Sequence, residues 1–132
     1  MILDTDVLSR MASGRASGHI ADELSRLTGA VHTTSINWAE VCYGVARSPR
    51  GQWLRRAYEE LVLPAVVILG FDRESAEIYG QLRADLESSG TRLDEADLMI
   101  AAIALRNDLP IATGNIRHFE RVPGLRVEDW LA

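Results

Sequence analysis

Short apolar runs alternate along the chain with longer segments in which apolar residues recur at helical spacing. Short runs made mostly of apolar or β-branched residues are of strand length, and they predict strands at residues 1–3, 30–33, 66–69, 109–112 and 125–127. The helical spacing predicts helices at residues 7–11, 20–28, 35–46, 52–62, 72–88 and 96–106.

Polar and turn-forming residues mark the ends of several predicted helices. Ser35 and Asp72 are suitable N-caps, because their side-chain oxygens can accept hydrogen bonds from the free N–H groups of the first turn. Gly29 is a plausible stop for the helix at 20–28, and Pro64 ends the helix at 52–62. Residues 13–18, which are mostly serine, glycine and alanine, are predicted to form a loop.

The alternation of strands and helices predicts an α/β fold with a parallel central sheet between two layers of helices. The length of 132 residues is the usual size of one domain, so a single domain with one core is expected over residues 1–132. In sheets of this kind, sites form at the carboxyl ends of the strands. Polar residues that directly follow the apolar runs are therefore the first candidates for function.

The charge of the chain limits how it can bind nucleic acid. The formal net charge is −5, which argues against a protein that binds nucleic acid through bulk electrostatics. All 14 basic residues are arginine, so any mechanism that requires a lysine is excluded. An enzyme that directs its acidic side chains onto a metal ion remains compatible with this composition.

The N-terminus and the cysteine content indicate a cellular compartment. The sequence MILDTD has acids and no basic segment before an apolar stretch, so no signal peptide is expected, and no apolar run is long enough for a membrane span. The single cysteine, Cys42, cannot form an internal disulfide, and a buried structural thiol is the expectation. A cytoplasmic location is therefore expected.

Three separated acids occupy positions where a carboxylate needs an explanation. Asp4 directly follows the first strand, although it could also cap the next helix. Glu40 lies in a helix that is apolar nearly all round, on the same face as Ile36 and Tyr43; the alternative is a glutamate at the edge of the apolar stripe that reaches solvent. Asp97 begins another apolar helix, where it could instead favour the positive end of the helix dipole.

Carboxylates of this kind are the hard oxygen ligands that Mg²⁺ and Mn²⁺ prefer. A zinc site is not expected, because His19, His32 and His118 are far apart and lack metal-ligand spacing. Ser9 and Ser35 have no evident histidine partner for a Ser-His-Asp mechanism, and no glycine-rich phosphate-binding motif is present. Spacing alone does not show that the three acids converge.

With these residues identified, the chain resembles the PIN-domain family, and within it the VapC-like toxins of bacterial toxin–antitoxin pairs. The resemblance covers essentially the whole chain through four ordered segments. These are ILDTDVLS with Asp4, TTSINWAEVCYGVA with Glu40, ADLMIAAIAL with Asp97, and ATGNIRHFERVPGLRVEDW with Thr113, Asn115 and Phe119.

The resemblance implies an endoribonuclease that uses Mg²⁺ or Mn²⁺ to activate water for hydrolysis of RNA phosphodiester bonds. Asp4 and Asp97 would bind the cation directly, and Glu40 would bind it or orient the attacking water. The residues that would lie around these ligands or contact the substrate are Thr5, Asp6, Asp94, Thr113 and Asn115.

The same resemblance implies a homodimer and a VapB-like antitoxin that blocks the acidic pocket. The helix carrying Trp53 and Leu54 and the helix carrying Ile20, Leu24 and Leu27 could offer that antitoxin an apolar groove.

One position departs from the resemblance. Asn115 stands where many members of the family carry a fourth acid, and it adds no charge; Asp94 is a candidate to compensate. Two alternatives remain open at this stage. A PIN-like interaction module could keep the fold without catalysis. A haloacid-dehalogenase-type phosphatase would use the DTD sequence differently, but that class requires a lysine, which the chain lacks.

Overall fold

Five parallel strands form one sheet in the computed structural model, which describes residues 1–14 and 18–131. The strand order is β3-β2-β1-β4-β5. The strands are β1 Ile2–Leu3, β2 Val31–Thr34, β3 Val66–Leu69, β4 Ile111–Thr113 and β5 Val127–Asp129. Ile2 of the central strand pairs with His32 on one side and with Ile111 on the other. Because all pairs are parallel, the carboxyl ends of β1, β2 and β4 meet at one edge.

Helices connect the strands and cover both faces of the sheet. They are α1 Thr5–Ala12, α2 His19–Arg26, α3 Ser35–Arg47, α4 Gly51–Leu61, α5 Arg73–Ser88, α6 Glu95–Asn107 and α7 Ile116–Phe119. A short 3-10 turn, Leu63–Ala65, follows α4. No helix of the described residues is long and apolar enough to cross a bilayer.

The predicted α/β fold with a parallel sheet is confirmed, with small shifts at the element ends. The strand Val66–Leu69 has the predicted bounds, and Asp72 caps α5 by accepting a hydrogen bond from Ser75 N at 2.8 Å. The predicted cap at Ser35 is wrong, because Ser35 is already helical and Thr34 is the N-cap. Residues 15–17 of the predicted loop lie outside the described residues.

The sheet divides the apolar interior into two clusters, one on each of its faces. Leu3 and Ala112 point to one side, where they pack with residues of α1, α3 and α4. Ile2 and Ile111 point to the other side, where they pack with residues of α5, α6 and α7. Successive residues of a strand face opposite ways, so each short strand contributes to both clusters.

Helix α3 buries a narrower stripe than its sequence suggests. Its buried residues are Asn37, Val41 and Val45, which recur every four residues. Glu40 and Cys42 lie on either side of that stripe and are exposed. The expectations of a buried face around Glu40 and of a buried thiol at Cys42 are therefore wrong. Although apolar residues occur on every side of this helix, other elements cover only one side of it.

Candidate functional site

Asp4 lies at the carboxyl end of β1 with its side chain held by three donors. Its residue is only 8% exposed. Oδ1 accepts hydrogen bonds from the backbone N–H of Thr5 at 2.9 Å and from Nδ2 of Asn37 at 2.8 Å. Oδ2 accepts a hydrogen bond from Oγ1 of Thr113 at 2.7 Å. The donors come from α1, α3 and β4, so the carboxylate is positioned where these elements meet.

Asn37 is the residue that connects α3 to this carboxylate. Oγ1 of Thr34 donates to Oδ1 of Asn37 at 2.7 Å, which leaves the amide nitrogen to donate to Asp4 and to Oγ1 of Thr5 at 3.0 Å. The side chain is fully buried, and a buried amide needs such partners. The N-cap of α3 therefore also sets the orientation of Asn37 in the site.

Glu40 lies one turn further along α3 and joins the same network from outside. Oγ1 of Thr5 donates to Oε1 of Glu40 at 3.2 Å. Partial burial raises the pKa of Glu40, with smaller contributions in the same direction from Asp4, Asp94 and Asp6, while the hydrogen bond from Thr5 opposes them. Partial burial, and to a smaller extent the neighbouring acids, therefore favour the neutral form of Glu40.

Asp97 faces the same acids from the first turn of α6. Its side chain is 17% exposed, and Oδ2 lies 3.0 Å from Nδ1 of His118. Burial raises the pKa of Asp97 to about 6, and His118 opposes this effect. Asp94, Asp4 and Glu40 contribute to this raised pKa to a smaller extent, because these carboxylates repel one another.

Asp6 provides another carboxylate at the edge of this network. Oδ2 accepts a hydrogen bond from the backbone N–H of Gly114 at 2.9 Å, while the buried Oδ1 has no partner among the described residues. Burial and the charge of Asp4 raise the pKa of Asp6. A Cβ at Gly114 would lie 3.0 Å from Oδ2 and 2.6 Å from Cδ1 of Leu131, so glycine allows this close approach.

These observations test whether a divalent cation suits the pocket. No three His, Cys, Asp or Glu side chains of the described residues form a ready-made metal-ligating group. The acids of the pocket nevertheless offer carboxylate oxygens, one buried oxygen of Asp6 has no partner among the described residues, and the pKa values of three acids are raised. A hard divalent cation would relieve this repulsion, so the donor set fits Mg²⁺ or Mn²⁺.

Asn115 and Asp94 lie at the rim of the pocket and are exposed. Asn115 precedes α7, but its side chain makes no capping hydrogen bond; its backbone N–H donates to Oγ1 of Thr113 at 2.9 Å. Asp94 likewise precedes α6 without a side-chain cap. Capping through the side chain therefore explains neither residue.

Comparison with known proteins identifies the family. The sequence model of the PIN domain matches residues 1–125. The chain belongs to the PIN-domain family.

Its relatives within that family include ribonucleases. The chain is 35% identical to the tRNA(fMet)-specific endonuclease VapC of Salmonella typhimurium (strain LT2) over 85% of this chain and 84% of the relative. It is 32% identical to Ribonuclease VapC2 of Rickettsia felis over 82% and 80% of the two chains. A chain in the crystal structure of VapBC2 from Rickettsia felis bound to a promoter DNA fragment matches with a TM-score of 0.90. That match has 27% identity and covers 98% and 97% of the two chains.

Within this PIN domain, the sequence-predicted residues fall into two groups. Asp4, Thr5, Glu40 and Thr113 are linked by hydrogen bonds directly or through Asn37, and the backbone N–H of Asn115 joins them by donating to Thr113. The second group, Asp6, Asp94 and Asp97, interacts with these acids through charge.

Two residues in the PIN-domain pocket, Asn37 and His118, were missed by sequence reasoning. Asn37 could have been found as a polar residue one turn before Glu40 in an otherwise apolar helix. His118 was considered only as a possible zinc ligand and was set aside because the histidines are far apart in the sequence. Its contact with Asp97 was therefore not predicted.

Proposed function

We propose that the chain is a VapC-type endoribonuclease, the toxin of a toxin–antitoxin pair, and that it acts with Mg²⁺ or Mn²⁺. The observation that carries the proposal is the acidic pocket at the carboxyl edge of the sheet, where burial and neighbouring acids raise the pKa of Asp97 to about 6. The similarity to ribonucleases named VapC over most of the chain supports the same function.

Asp4, Glu40 and Asp97 would hold the cation. When bound, a divalent cation lowers the pKa of a water molecule and offsets negative charge on the phosphoryl oxygens. Glu40 either adds a ligand or orients the attacking water, and its raised pKa suits a group that accepts a proton.

The surrounding residues keep these carboxylates in place. Asn37 and Thr113 donate to opposite oxygens of Asp4, which fixes the plane of that carboxylate. Oγ1 of Thr5 accepts a hydrogen bond from Asn37 and donates one to Glu40. These two bonds hold α1 and α3 together and fix the side chain of Glu40 relative to Asp4. Asp6, Asp94 and Asn115 contribute charge or contacts to the substrate at the rim.

We also propose a VapB-like antitoxin partner and a homodimer. The structure from Rickettsia felis is of VapBC2, a complex of this kind bound to DNA. Of the apolar groove residues, Ile20 is 3% exposed and belongs to the core, whereas Trp53 is 52% exposed. The face of α4 around Trp53 is therefore the better candidate surface for the antitoxin.

Cleavage of RNA by the purified chain tests the enzymatic part. Initiator tRNA is the first substrate to try, because the Salmonella relative is named for tRNA(fMet). We expect cleavage with Mg²⁺ or Mn²⁺, none with EDTA, and none by Asp97→Asn prepared in the same way. Undiminished cleavage in EDTA, or by Asp97→Asn, would contradict the proposed chemistry.

Expression of the chain alone tests the toxin part. We expect growth arrest that Asp4→Asn relieves at a matched protein level. Equal growth of cells carrying the two forms would contradict a toxin function while leaving ribonuclease activity to the biochemical assay.

A further inference from the structure

His118 brings a ring nitrogen into contact with an acid of the pocket. Its Nδ1 lies 3.0 Å from Oδ2 of Asp97, whose side chain is 17% exposed. Among residues 1–14 and 18–131, no other side chain forms a hydrogen bond or an ion pair with Asp97. Asp4, by contrast, is surrounded by three donors. The Asp97 carboxylate and the His118 ring therefore form a pair of their own in the pocket.

The acids of the pocket are not neutralised by arginine. In the described part of the chain, the arginines that form ion pairs are Arg26, Arg73, Arg83, Arg106 and Arg126. Their partners are acids other than Asp4, Asp6, Glu40 and Asp97. The carboxylates of the pocket are consequently left to a partner of another kind, such as a metal cation.

The backbone of His118 is held in place while its ring stays accessible. The next residue, Phe119, is fully buried in the apolar cluster that α5 and α6 form on one face of the sheet. The backbone N–H of His118 donates to Asn115 O at 3.0 Å. The side chain of His118 is 52% exposed and borders an open cavity of about 450 Å³ that also adjoins Arg117. The residue is thus fixed at its base and open to solvent at its ring.

The spacing of the pair matches two ligands of one metal ion. Ligand atoms that lie about 2.1 Å from an ion and at right angles to each other are about 3.0 Å apart. Nδ1 of His118 and Oδ2 of Asp97 have this separation. The imidazole ring is the commonest metal ligand among protein side chains. One ion could therefore bind both atoms with little movement of either side chain.

We propose that Nδ1 of His118 binds the cation together with Asp97, and that this nitrogen makes the site prefer a divalent transition metal over Mg²⁺. The inference rests on the proposed function, which places the cation at these acids. Mg²⁺ prefers oxygen ligands and dehydrates reluctantly, whereas an imidazole nitrogen favours transition metals. His118 thereby adds a softer ligand beside the carboxylates of Asp4, Glu40 and Asp97.

A histidine that only orients Asp97 is the main alternative. The same separation of 3.0 Å is compatible with a hydrogen bond from Nδ1 to the carboxylate. In that case, loss of His118 would weaken the binding of Mg²⁺ and of Mn²⁺ alike, because both ions bind the carboxylate. Loss of a nitrogen ligand should instead weaken Mn²⁺ binding more than Mg²⁺ binding. The ratio of the two affinities therefore separates the two roles.

Pulsed electron paramagnetic resonance of bound Mn²⁺ detects a nitrogen ligand directly and needs no catalysis. We expect the spin-echo signal of the wild-type complex to be modulated by an imidazole nitrogen. The modulation should disappear in His118→Ala and persist in His19→Ala. His19 is the matched control, because it is an exposed histidine whose Nε2 lies 3.4 Å from Asp129 O rather than beside an acid of the pocket.

Calorimetric titrations with Mn²⁺ and with Mg²⁺ measure the preference between the two ions. We expect His118→Ala to bind Mn²⁺ about tenfold more weakly than wild type does, and to lose less of its affinity for Mg²⁺. His118→Asp should bind Mg²⁺ more tightly than wild type, because it replaces the nitrogen with a hard oxygen. His19→Ala should match wild type for both ions.

The inference and the proposed function fail in different ways. Mn²⁺ binding that depends on Asp97 but shows no nitrogen modulation in wild type would overturn the role of His118 and leave the metal site intact. Equal losses of Mn²⁺ and Mg²⁺ affinity in His118→Ala would also overturn it, in favour of a residue that only orients Asp97. If the folded wild type bound neither ion, the proposed metal-dependent function would fail together with the inference.

Discussion

Asp4 in the inner part of the acidic pocket accepts three hydrogen bonds from protein donors, whereas Asp97 in the outer part has, among the described residues, one close partner, His118. Both are at least largely buried, with 8% of the Asp4 residue and 17% of the Asp97 side chain exposed. Burial of a carboxylate disfavours its charged form unless donors compensate. For Asp97 that compensation is incomplete, and its pKa is raised to about 6.

This difference separates two roles within one site. The donors around Asp4 tie β1, β4, α1 and α3 together, so the inner carboxylate contributes to the fold as well as to the chemistry. In the outer part, Asp97 is repelled by the neighbouring carboxylates, and this repulsion lowers the stability of the metal-free protein. We infer that a cation is needed chiefly to offset the negative charge in the outer part of the pocket, around Asp97.

The strongest test of this comparison uses two isosteric substitutions. Asp4→Asn places an amide nitrogen or a weaker acceptor opposite Asn37 and Thr113, so it should lower the free energy of unfolding by about 1–3 kcal/mol. Asp97→Asn removes a repelled charge and should leave the metal-free protein equally stable or more stable. Both should reduce RNA cleavage by roughly a hundredfold or more, because each removes a proposed ligand.

Urea unfolding in EDTA, together with cleavage rates in Mg²⁺, measures both effects. A stabilised Asp4→Asn or a strongly destabilised Asp97→Asn would reverse the assignment of inner and outer roles. Unchanged cleavage by either variant would remove that residue from the site.

The next largest effect is expected from Asn37→Asp. This change places a second carboxylate where an amide now donates to Asp4 at 2.8 Å, so it should cost roughly 2–3 kcal/mol of stability and reduce cleavage. Asn107→Asp is a control for the same chemical change away from the pocket, because the exposed Asn107 also donates a side-chain hydrogen bond, to Ile103 O at 2.7 Å, at the far end of α6. Cleavage by Asn37→Asp equal to that of the control would argue against a positioning role for Asn37.

Stability of the metal-free protein should fall as pH rises from about 4 to about 6. The folded state holds the Asp97 proton more tightly than the unfolded state does, since burial, Asp94, Asp4 and Glu40 raise its pKa and His118 only partly opposes them. The contribution is on the order of 3 kcal/mol, present below this window and lost above it.

Urea unfolding in EDTA across that pH range, with wild type and Asp97→Asn in parallel, checks the sign. We expect a shallower decline in Asp97→Asn, because its amide does not titrate. Equal slopes for the two proteins would show that another group causes the dependence.

The smallest effect is expected at Asn115. Its exposed side chain makes no capping hydrogen bond, so Asn115→Ala should cost clearly less activity than Asp97→Asn. Asn115→Asp adds a negative charge at the rim and should tighten Mn²⁺ binding. Identical Mn²⁺ affinities in wild type and both variants, measured by calorimetry, would place Asn115 outside the site.

Much of the fold could be predicted from the sequence because it depends on local patterns. The strand Val66–Leu69 is a continuous apolar run, and Asp72 is followed by a long periodic helix, so both were predicted with their bounds. Helix α7 has only four residues, too few to show a period, and it was missed. The exposure of Cys42 was also missed, because the packing of α3 depends on its neighbours rather than on its own composition.

The acids of the site could be predicted for the same reason. Asp4 follows a strand, and Asp97 and Glu40 interrupt apolar helices, so each is conspicuous in the sequence. Asn37 and His118 were missed because they are defined by partners far away in the chain, Asp4 and Asp97 respectively. Such pairs arise from strand order and helix packing, which a local pattern does not contain.

Calorimetric titration of the metal-free protein with Mn²⁺ tests most directly whether the acidic pocket is a metal site. We expect wild type and the control Asn107→Asp to bind Mn²⁺ with the same affinity, and Asp97→Asn to bind at least about tenfold more weakly because an outer carboxylate is lost. No Mn²⁺ binding by the folded wild type, or equal affinity in Asp97→Asn, would contradict the proposed metal site.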